Sequence, residues 1–306
     1  MALSLAACGN TASTTSESTA SESTASESSA TAEAAGEEAA ASDFDNTQSI
    51  TVITREEGSG TRGAFIELTG VEEKNDAGEK VDNTSAGAAT QNSTNGVMTT
   101  VANDETAIGY ISLGSLNDTV KAVTVGGVAA SAETVKDGTY TLARPFNIVT
   151  NGDATDPVAV DFINYCMSTD GQALATEDGY IGSDDAAAFE STQPSGSITV
   201  GGSSSVSPLM EKLIEAYEGV NPNASIELLT TDSTVGVSGA LDGTYTIGMA
   251  SRELKDSEVE AGAKATVLAM DGIAVVVNPA NPIEDLTIDQ IKSIYTGETT
   301  TWDAIQ

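Results

Sequence analysis

The sequence contains no histidine among its 306 residues. Without that side chain, the Ser-His-Asp and Cys-His pairings of common hydrolases are excluded, as is a histidine-ligated metal site. Cysteine is almost as scarce, because Cys8 and Cys166 allow at most one disulfide. No stretch approaches the roughly 20 apolar residues that a membrane-spanning helix needs. We therefore expect no catalytic centre of these kinds, no metal and no cofactor.

Basic side chains are also few. The chain has 12 lysine and arginine residues against 46 acidic ones, for a net charge of -34. This balance argues against binding to nucleic acid or to an anionic membrane surface. A small anion remains compatible, because distant surface charge is screened over about 8 Å while local dipoles act within a few ångströms. The length suggests about two domains.

Two N-terminal segments precede any strand or helix pattern. Residues 1–8 end in Leu-Ala-Ala-Cys, which resembles a bacterial lipobox whose cysteine, Cys8, is acylated after cleavage. Only four residues precede the box, so we interpret 1–8 as a truncated lipoprotein signal. A chance Ala-Ala-Cys in an alanine-rich sequence is the alternative. Residues 9–46 are rich in Ser, Thr, Ala and Glu and contain no basic residue, which predicts a disordered tether.

The octapeptide at 55–62, Arg-Glu-Glu-Gly-Ser-Gly-Thr-Arg, lies between a predicted strand at 50–54 and a predicted helix at 63–69. A strand that runs through a Gly/Ser loop into a helix places free N–H groups at a positive helix end, which favours an anion. Ser59 and Thr61 would add hydroxyl donors, and Arg55 a forked cation suited to a tetrahedral oxyanion. A capping loop that binds nothing is the alternative, because short glycine motifs are common.

Further along the chain, strands alternate with helices, which favours an α/β fold with a largely parallel sheet. Residues 92–96 and 287–290 are predicted to cap helices, 272–277 to form a buried strand and 75–86 to be irregular. Hydroxyl-rich strand ends recur at 58–61, 203–207, 233–236 and 251. Ligands of open α/β sheets lie beyond the carboxyl ends of strands, so four such ends predict a cage for a small oxyanion. Helix capping is the alternative role for Ser205 and Ser233.

The octapeptide resembles the anion-binding segment of the phosphate-binding proteins that feed phosphate ABC transporters, the PstS family. Segments 201–209 (GGSSSVSPL), 232–236 (DSTVG) and 247–254 (IGMASREL) resemble other parts of that family, and 108–110 and 144–146 extend the resemblance over residues 47–306. It implies a two-lobed, periplasmic-binding-protein-like α/β fold with a hinge and an inter-lobe ligand cleft.

The resemblance also implies a set of site residues. The ligand-binding residues would be Arg55, Ser59, Gly60 and Thr61 from one lobe, and Ser205, Val206 through its N–H, Ser233 and Ser251 from the other. We expect Glu57 to hold Arg55 in place. Some family members carry a carboxylate at the position of Ser251, where it accepts the proton of hydrogen phosphate and rejects sulfate. A serine accepts weakly, which leaves Glu57 or Asp232 as candidates for that role.

The order of the motifs departs from the usual family order. Segment 300–305 ends this chain and its usual successor, 50–55, begins the folded part, so the sequence resembles a circular permutation. We therefore predict one lobe from 47–143 plus 280–306, a second from 148–277, and hinge crossovers near 144–148 and 276–280. Asn46 and Gln306 should be neighbours, since permutation needs adjacent ends. Two half-domains from tandem incomplete copies are the alternative.

The function implied is an extracytoplasmic substrate-binding protein that captures inorganic phosphate for an ABC importer. Its partners would be the transporter permease subunits, and a lipid on Cys8 would hold it at the outer face of the bacterial cell membrane. Another tetrahedral oxyanion such as sulfate is one alternative ligand, and a tethered phosphatase-type hydrolase is an alternative class. The hydrolase is disfavoured because the sequence lacks a Gly-x-Ser-x-Gly elbow and the lysine of a P-loop.

Overall fold

The computed structural model describes residues 44–305. The predicted lipobox with Cys8, most of the predicted tether and Gln306 lie outside the described residues. No helix within 44–305 has both the length and the apolar character needed to cross a membrane.

The N-terminal half of the described chain begins with a strand, a helix and a short hairpin. Its elements are β1 (Thr51–Arg55), α1 (Gly60–Leu68), β2 (Glu72–Lys74), β3 (Lys80–Asp82), β4 (Ala89–Gln91), α2 (Thr94–Ala102), β5 (Ala107–Ser112), a 3-10 turn (Leu113–Ser115), β6 (Lys121–Ala122), β7 (Thr124–Val125) and α3 (Ala132–Lys136).

The C-terminal half begins with a long strand and two helices. Its elements are β8 (Ala143–Asn151), α4 (Pro157–Cys166), α5 (Thr169–Glu177), β9 (Gly196–Ser203), α6 (Ser207–Val220), β10 (Ala224–Thr231), α7 (Ser233–Asp242), β11 (Ile247–Ala250), α8 (Asp256–Glu260), β12 (Ala263–Val277), β13 (Asp285–Leu286), α9 (Ile288–Thr296) and a 3-10 turn (Trp302–Ala304).

Three boundaries differ from the sequence-based predictions. Helix α1 begins at Gly60 rather than residue 63, because the Ser59 side chain caps it by accepting a hydrogen bond from the Arg62 N–H. The predicted strand at 272–277 extends back to Ala263. The added part of β12 pairs with β8, and its exposed residues interrupt the run of apolar residues from which the strand was predicted. The segment predicted as irregular, 75–86, contains β3, which forms a hairpin with the preceding β2. The predicted capping box at 287–290 is confirmed.

The main sheet has the strand order β10-β9-β11-β8-β12-β5-β1-β4, with β6 paired to β12. Its two flanks are parallel, and the α/β layout predicted from the sequence is confirmed. The prediction of a largely parallel sheet is wrong at the centre. There the β11–β8, β8–β12 and β12–β5 pairs are all antiparallel, so the direction alternates across the centre and the two parallel flanks run in opposite directions.

Two large hydrophobic clusters lie along this sheet. One is built from residues between 146 and 269 and includes Phe162 and Tyr217. The other draws on residues 64–142 and 273–302, and its aromatic centre is Phe65 stacked on Tyr110 at 3.9 Å between ring centroids. Strand β12 contributes to both clusters, so it passes from one to the other near residue 270. The lobe boundaries stay a prediction.

The two ends of the described chain lie against each other. The Asp303 N–H donates to the Asn46 carbonyl at 2.8 Å, and the Ile50 N–H donates to the Thr300 carbonyl at 2.8 Å. The predicted neighbour of Asn46, Gln306, is outside the described residues, but Asp303 is only three residues before it.

A buried ion pair joins β8 to β12 close to the point where β12 changes partner. Arg144 and Asp271 are directly opposite in register, with Nη2 3.0 Å from Oδ2 and both side chains almost fully buried. Ser112 on β5 donates to Asp271 Oδ1 at 3.0 Å. Burial raises the pKa of Asp271 from 3.8 to about 6, although Arg144 acts in the opposite direction.

This raised pKa predicts a specific pH dependence of stability. The folded protein holds the Asp271 proton more tightly than the unfolded chain does, so the stabilising contribution is complete below pH 3.8 and is lost as pH rises through about 6. In urea denaturation, the free energy of unfolding of the wild type minus that of Asp271→Asn should therefore be larger near pH 4 than near pH 7.

Asp161 provides a control of opposite sign. It is buried, but hydrogen bonds from Ser191, Thr192 and Tyr217 outweigh desolvation and lower its pKa below 3.8. The wild-type minus Asp161→Asn difference should be larger near pH 7 than near pH 4. Differences that run in the same direction for both variants would contradict this account of the buried carboxylates.

Candidate functional site

The loop between β1 and α1 forms one wall of the candidate site. Tyr110 fixes the end of β1, because its hydroxyl accepts from the Arg55 N–H at 3.1 Å and lies 2.8 Å from Thr54 Oγ1. Gly60 and Thr61 are the first residues of α1 and are buried. Their N–H groups have no partner among residues 44–305 and lie at the positive end of the helix.

Arg55 is 2% exposed and is held by a bidentate ion pair with Glu56. Its Nε donates to Glu56 Oε2 at 2.8 Å and its Nη2 to Glu56 Oε1 at 2.7 Å. The prediction that Glu57 holds Arg55 is wrong in this structure. The Ser59 N–H donates to the Glu56 carbonyl at 3.0 Å, which closes a tight turn and directs Glu57 at its corner to solvent.

A second wall comes from the serine-rich segment between β9 and α6. Arg55 Nη2 donates to Ser204 Oγ at 3.1 Å, and Thr61 Oγ1 lies 2.8 Å from Ser205 Oγ. Val206 is fully buried at the start of α6, where its N–H donates to the Ser203 carbonyl at 3.1 Å. The predicted Val206 donor is therefore present at the site but engaged in a turn.

The ends of β11 and α7 complete the cluster. Ser203 donates to Ser251 Oγ at 2.9 Å, and Ser233 Oγ lies 3.3 Å from Ser251 Oγ and accepts from the Ser251 N–H at 3.0 Å. A Cβ at Gly60 would collide with the hydroxyls of Ser233 and Ser251, so the α1 backbone lies directly against them. The structure thus places all eight predicted ligand-binding residues in one buried cluster: Arg55, Ser59, Gly60, Thr61, Ser205, Val206, Ser233 and Ser251.

Helix capping does not account for Ser205 and Ser233. The N-cap of α6 is Val206, and the N-cap of α7 is Asp232, whose carboxylate accepts from the Val235 N–H at 2.9 Å. The hydroxyls of the two serines contact other segments of the chain instead. The arrangement can therefore present several O–H and N–H donors and one guanidinium to a single small anion.

The two carboxylates nearest the cluster are already engaged. Glu56 binds Arg55 and Asp232 caps α7, and within residues 44–305 neither carboxylate forms a hydrogen bond to the site hydroxyls. Close to Asp232, the Gly58 carbonyl accepts from both the N–H and the hydroxyl of Thr234, at 3.2 and 3.1 Å. These bonds tie the β1–α1 loop to the start of α7. The predicted proton-acceptor role of Glu57 or Asp232 stays a prediction.

Sequence reasoning missed three groups at this site. The sequence-based predictions name Glu57 instead of Glu56, assign no contact to Ser204 and place Thr94 only in a helix cap. Thr94 is the first residue of α2, is 3% exposed, and its Oγ1 lies 3.1 Å from Ser205 Oγ. The available signal was another strand, loop and helix in the same order, β4 to α2, with hydroxyl residues at the helix start.

Comparison with known proteins assigns the family. The model of a PBP superfamily domain matches residues 17–170 and 187–305. The phosphate-binding protein PstS 2 of Streptococcus agalactiae is 51% identical over 254 residues, which cover 83% of this chain and 87% of the relative. The chain belongs to the PstS family of phosphate-binding proteins. The resemblance inferred from the motifs is confirmed.

Two further PstS-related matches differ in their extent. A crystal structure of the phosphate-binding protein of a phosphate ABC transporter from Streptococcus pneumoniae TIGR4 superposes with a TM-score of 0.68 and is 43% identical. It covers 84% of this chain and all of that chain, which confirms the periplasmic-binding-protein-like fold. The PstS of Bacillus subtilis is 34% identical over only 111 residues, 35% of this chain and 37% of the relative.

The pairing of Arg55 with Glu56 predicts unequal effects of two adjacent substitutions. Glu56→Gln removes the charge that faces a buried guanidinium and should lower the free energy of unfolding by about 1–3 kcal/mol. Glu57→Gln, at an exposed turn corner, should change it by less than about 0.5 kcal/mol. Urea denaturation at neutral pH measures both. Equal losses for the two variants would show that the assignment of the ion pair to Glu56 is wrong.

Proposed function

We propose that this chain captures inorganic phosphate outside the cytoplasm for an ABC importer. The observation that carries the proposal is the convergence of Arg55 with the hydroxyls of Thr61, Ser205, Ser233 and Ser251 in one buried cluster. A cation in a fork geometry, several hydroxyls and the positive ends of helices form the donor set that a tetrahedral oxyanion requires. The members of the family are named for phosphate binding.

The chemistry of the cluster supports a binding role. The hydroxyls satisfy one another, and each can rotate to donate to an anion without a change in the backbone. Burial keeps water away from the cluster, so that each donor interacts more strongly with a charged ligand than it would in water. The cluster offers no histidine or other base positioned beside a nucleophile, which favours capture without turnover over a phosphatase.

A second tetrahedral oxyanion, sulfate, is the alternative ligand. Sulfate is favoured by the lack, among residues 44–305, of a free carboxylate at the cluster to accept a ligand proton. Ser251 lies among the site hydroxyls at the position where some family members carry that carboxylate, and Glu56 and Asp232 are engaged elsewhere. Hydroxyls accept as well as donate, so that a protonated phosphate oxygen can still be bound. Phosphate remains the proposed ligand because of the family.

We also propose the cellular arrangement implied by the motifs. A lipid on Cys8 would hold the protein at the outer face of the bacterial cell membrane, and the folded part would deliver its ligand to the permease subunits. The sequence around Cys8 and the polar composition of residues 9–46 support this proposal.

We propose two lobes that close on the ligand, formed by residues 47–143 plus 280–306 and by residues 148–277. The separation of the two hydrophobic clusters supports this division over most of both ranges, although the end of β12, with Ile273, Val275 and Val277, packs in the cluster of the first lobe. Strands β8 and β12 connect the clusters and would carry the hinge. Thr61 from the first lobe and Ser205 from the second, whose hydroxyl oxygens are 2.8 Å apart, would both donate to the ligand.

We further propose that the segment order is a circular permutation shared with the streptococcal PstS 2 proteins. An alignment over 83% of the chain to the Streptococcus agalactiae protein supports a common order. A match to only about a third of the Bacillus subtilis protein is the result expected when the order differs. The adjacent chain ends at Asn46 and Asp303 satisfy the geometric requirement. One continuous sheet that uses both halves of the sequence disfavours tandem half-domains.

The permutation proposal predicts that the chain can be reordered. A variant that begins at Ser195, joins Ile305 to Asn46 through a short Gly/Ser linker and ends at Pro194 should fold and bind phosphate with an affinity close to that of the original chain. Circular dichroism and phosphate titration measure this. A matched variant with the same junction but new ends inside α6 should not fold. Failure of the first variant would refute the proposed order.

The proposed ligand and the role of Arg55 can be tested by isothermal titration with phosphate and with sulfate. Arg55→Ala should weaken phosphate binding by about 3–5 kcal/mol, because the variant leaves a desolvated anion without its cation. Lys264→Ala, which removes an exposed cation on β12, should leave the affinity unchanged. Unchanged phosphate affinity in Arg55→Ala would overturn the assignment of the site. Tighter binding of sulfate than of phosphate would favour the alternative ligand. Release of phosphate from p-nitrophenyl phosphate would favour a hydrolase.

A further inference from the structure

Thr94 contacts the buried hydroxyl cluster of the candidate site from a segment to which the motifs assign no ligand contact. Its Oγ1 lies 3.1 Å from Ser205 Oγ, and the side chain is 3% exposed. This is the only hydrogen bond of the Thr94 hydroxyl among residues 44–305. The contact joins residues 111 positions apart in sequence, so it depends on the tertiary fold.

The sheet fixes the position of Thr94. Strand β4 pairs in parallel with β1, with Gln91 opposite Arg55, and the Glu56 N–H donates to the Gln91 carbonyl at 3.1 Å. The loop that follows β4 therefore emerges beside the loop that follows β1. Helix α2 is anchored by the buried side chains of Val97, Met98 and Val101. Packing thus places the Thr94 hydroxyl at the site.

The hydroxyl of Thr94 is not needed to form its helix. Ser93 is the N-cap of α2 and accepts from the Gly96 N–H at 3.1 Å. A threonine inside a helix commonly bonds its hydroxyl to a carbonyl of the preceding turn, as Thr100 of the same helix does to the Gly96 carbonyl at 2.9 Å. At the first helical position Thr94 makes no such bond, and its hydroxyl is directed to Ser205 instead.

The consequence follows from counting protons. Ser205 Oγ carries one proton and can accept with its lone pairs, and it lies between Thr61 Oγ1 at 2.8 Å and Thr94 Oγ1 at 3.1 Å. When Thr61 and Ser205 both donate to a bound oxyanion, the Ser205 oxygen can only accept from the protein. Thr94 is the hydroxyl placed to make that donation.

We propose that Thr94 is a positioning residue that donates to Ser205 Oγ and thereby holds the Ser205 proton toward the bound oxyanion. The inference rests on the proposed function, because it requires an oxyanion beside Thr61 and Ser205. Without the Thr94 hydroxyl, the Ser205 hydroxyl can rotate among alternative partners, and orienting it costs affinity each time the ligand binds. The ligand class is unchanged, and only the strength of binding depends on Thr94.

Titration of the folded protein with inorganic phosphate tests this role. Thr94→Val, which replaces the hydroxyl by a methyl of similar size, should weaken binding about 3- to 10-fold, as expected for one hydrogen bond. Thr94→Ser restores the hydroxyl and should bind within about 2-fold of the wild type. Thr69→Val removes a buried threonine hydroxyl elsewhere in the same half of the chain and should leave phosphate affinity unchanged.

A double-mutant cycle separates a role through Ser205 from a general loosening of the fold. In a Ser205→Ala background, Thr94→Val should cause little further loss of affinity, because the group that Thr94 orients is absent. Thr94→Ala provides the same test if the valine variant does not fold.

Each alternative result has a definite meaning. Three results would overturn the positioning role and leave the proposed function standing. The first is wild-type affinity in Thr94→Val, and the second is an equal loss of affinity in Thr94→Ser or in Thr69→Val. The third is full additivity of Thr94→Val with Ser205→Ala. A wild-type protein that binds neither phosphate nor sulfate would overturn the proposed function and this inference with it.

Discussion

The buried guanidinium of Arg55 is the group on which the site depends. A cation that is 2% exposed is costly to desolvate, and the bidentate contact with Glu56 offsets part of that cost. The hydrogen bond from Arg55 Nη2 to Ser204 then directs the guanidinium toward the serine-rich segment between β9 and α6. In a protein with a net charge of -34, this local arrangement is what makes an anion site physically possible, because its donors act at contact distance.

The other donors are kept ready by bonding to one another. Ser203, Ser233 and Ser251 form one chain of hydroxyl contacts, and Thr61, Ser205 and Thr94 form another. No hydroxyl in these two chains is left unsatisfied, so the cluster avoids the cost of buried unpaired groups. Each of these hydroxyls can also turn toward a new partner by rotation about a single bond. The same residues thus satisfy one another and stay able to donate elsewhere.

The sequence predicted the parts of this structure that depend on local pattern. The strand–loop–helix units, the α/β class and the convergence of loops at strand ends followed from hydrophobic periodicity and from hydroxyl-rich loops, and the family followed from four motifs. The choice between Glu56 and Glu57 could not be predicted, because it depends on how a turn at Gly58 directs two chemically identical side chains. The contact of Thr94 with Ser205 and the length of β12 could not be predicted either, because both depend on partners more than 100 residues away.

The position of the single tryptophan has a practical consequence. Trp302 lies at the seam between the two ends of the folded chain, where its Nε1 donates to the Thr106 carbonyl at 3.1 Å and its ring packs edge-on against Phe44. Among residues 44–305, neither the hydrogen bond nor the ring contact of Trp302 involves the hydroxyl cluster. Tryptophan fluorescence therefore reports the integrity of the terminal seam, whereas a dye attached near the serine loops would place an optical probe at the cluster.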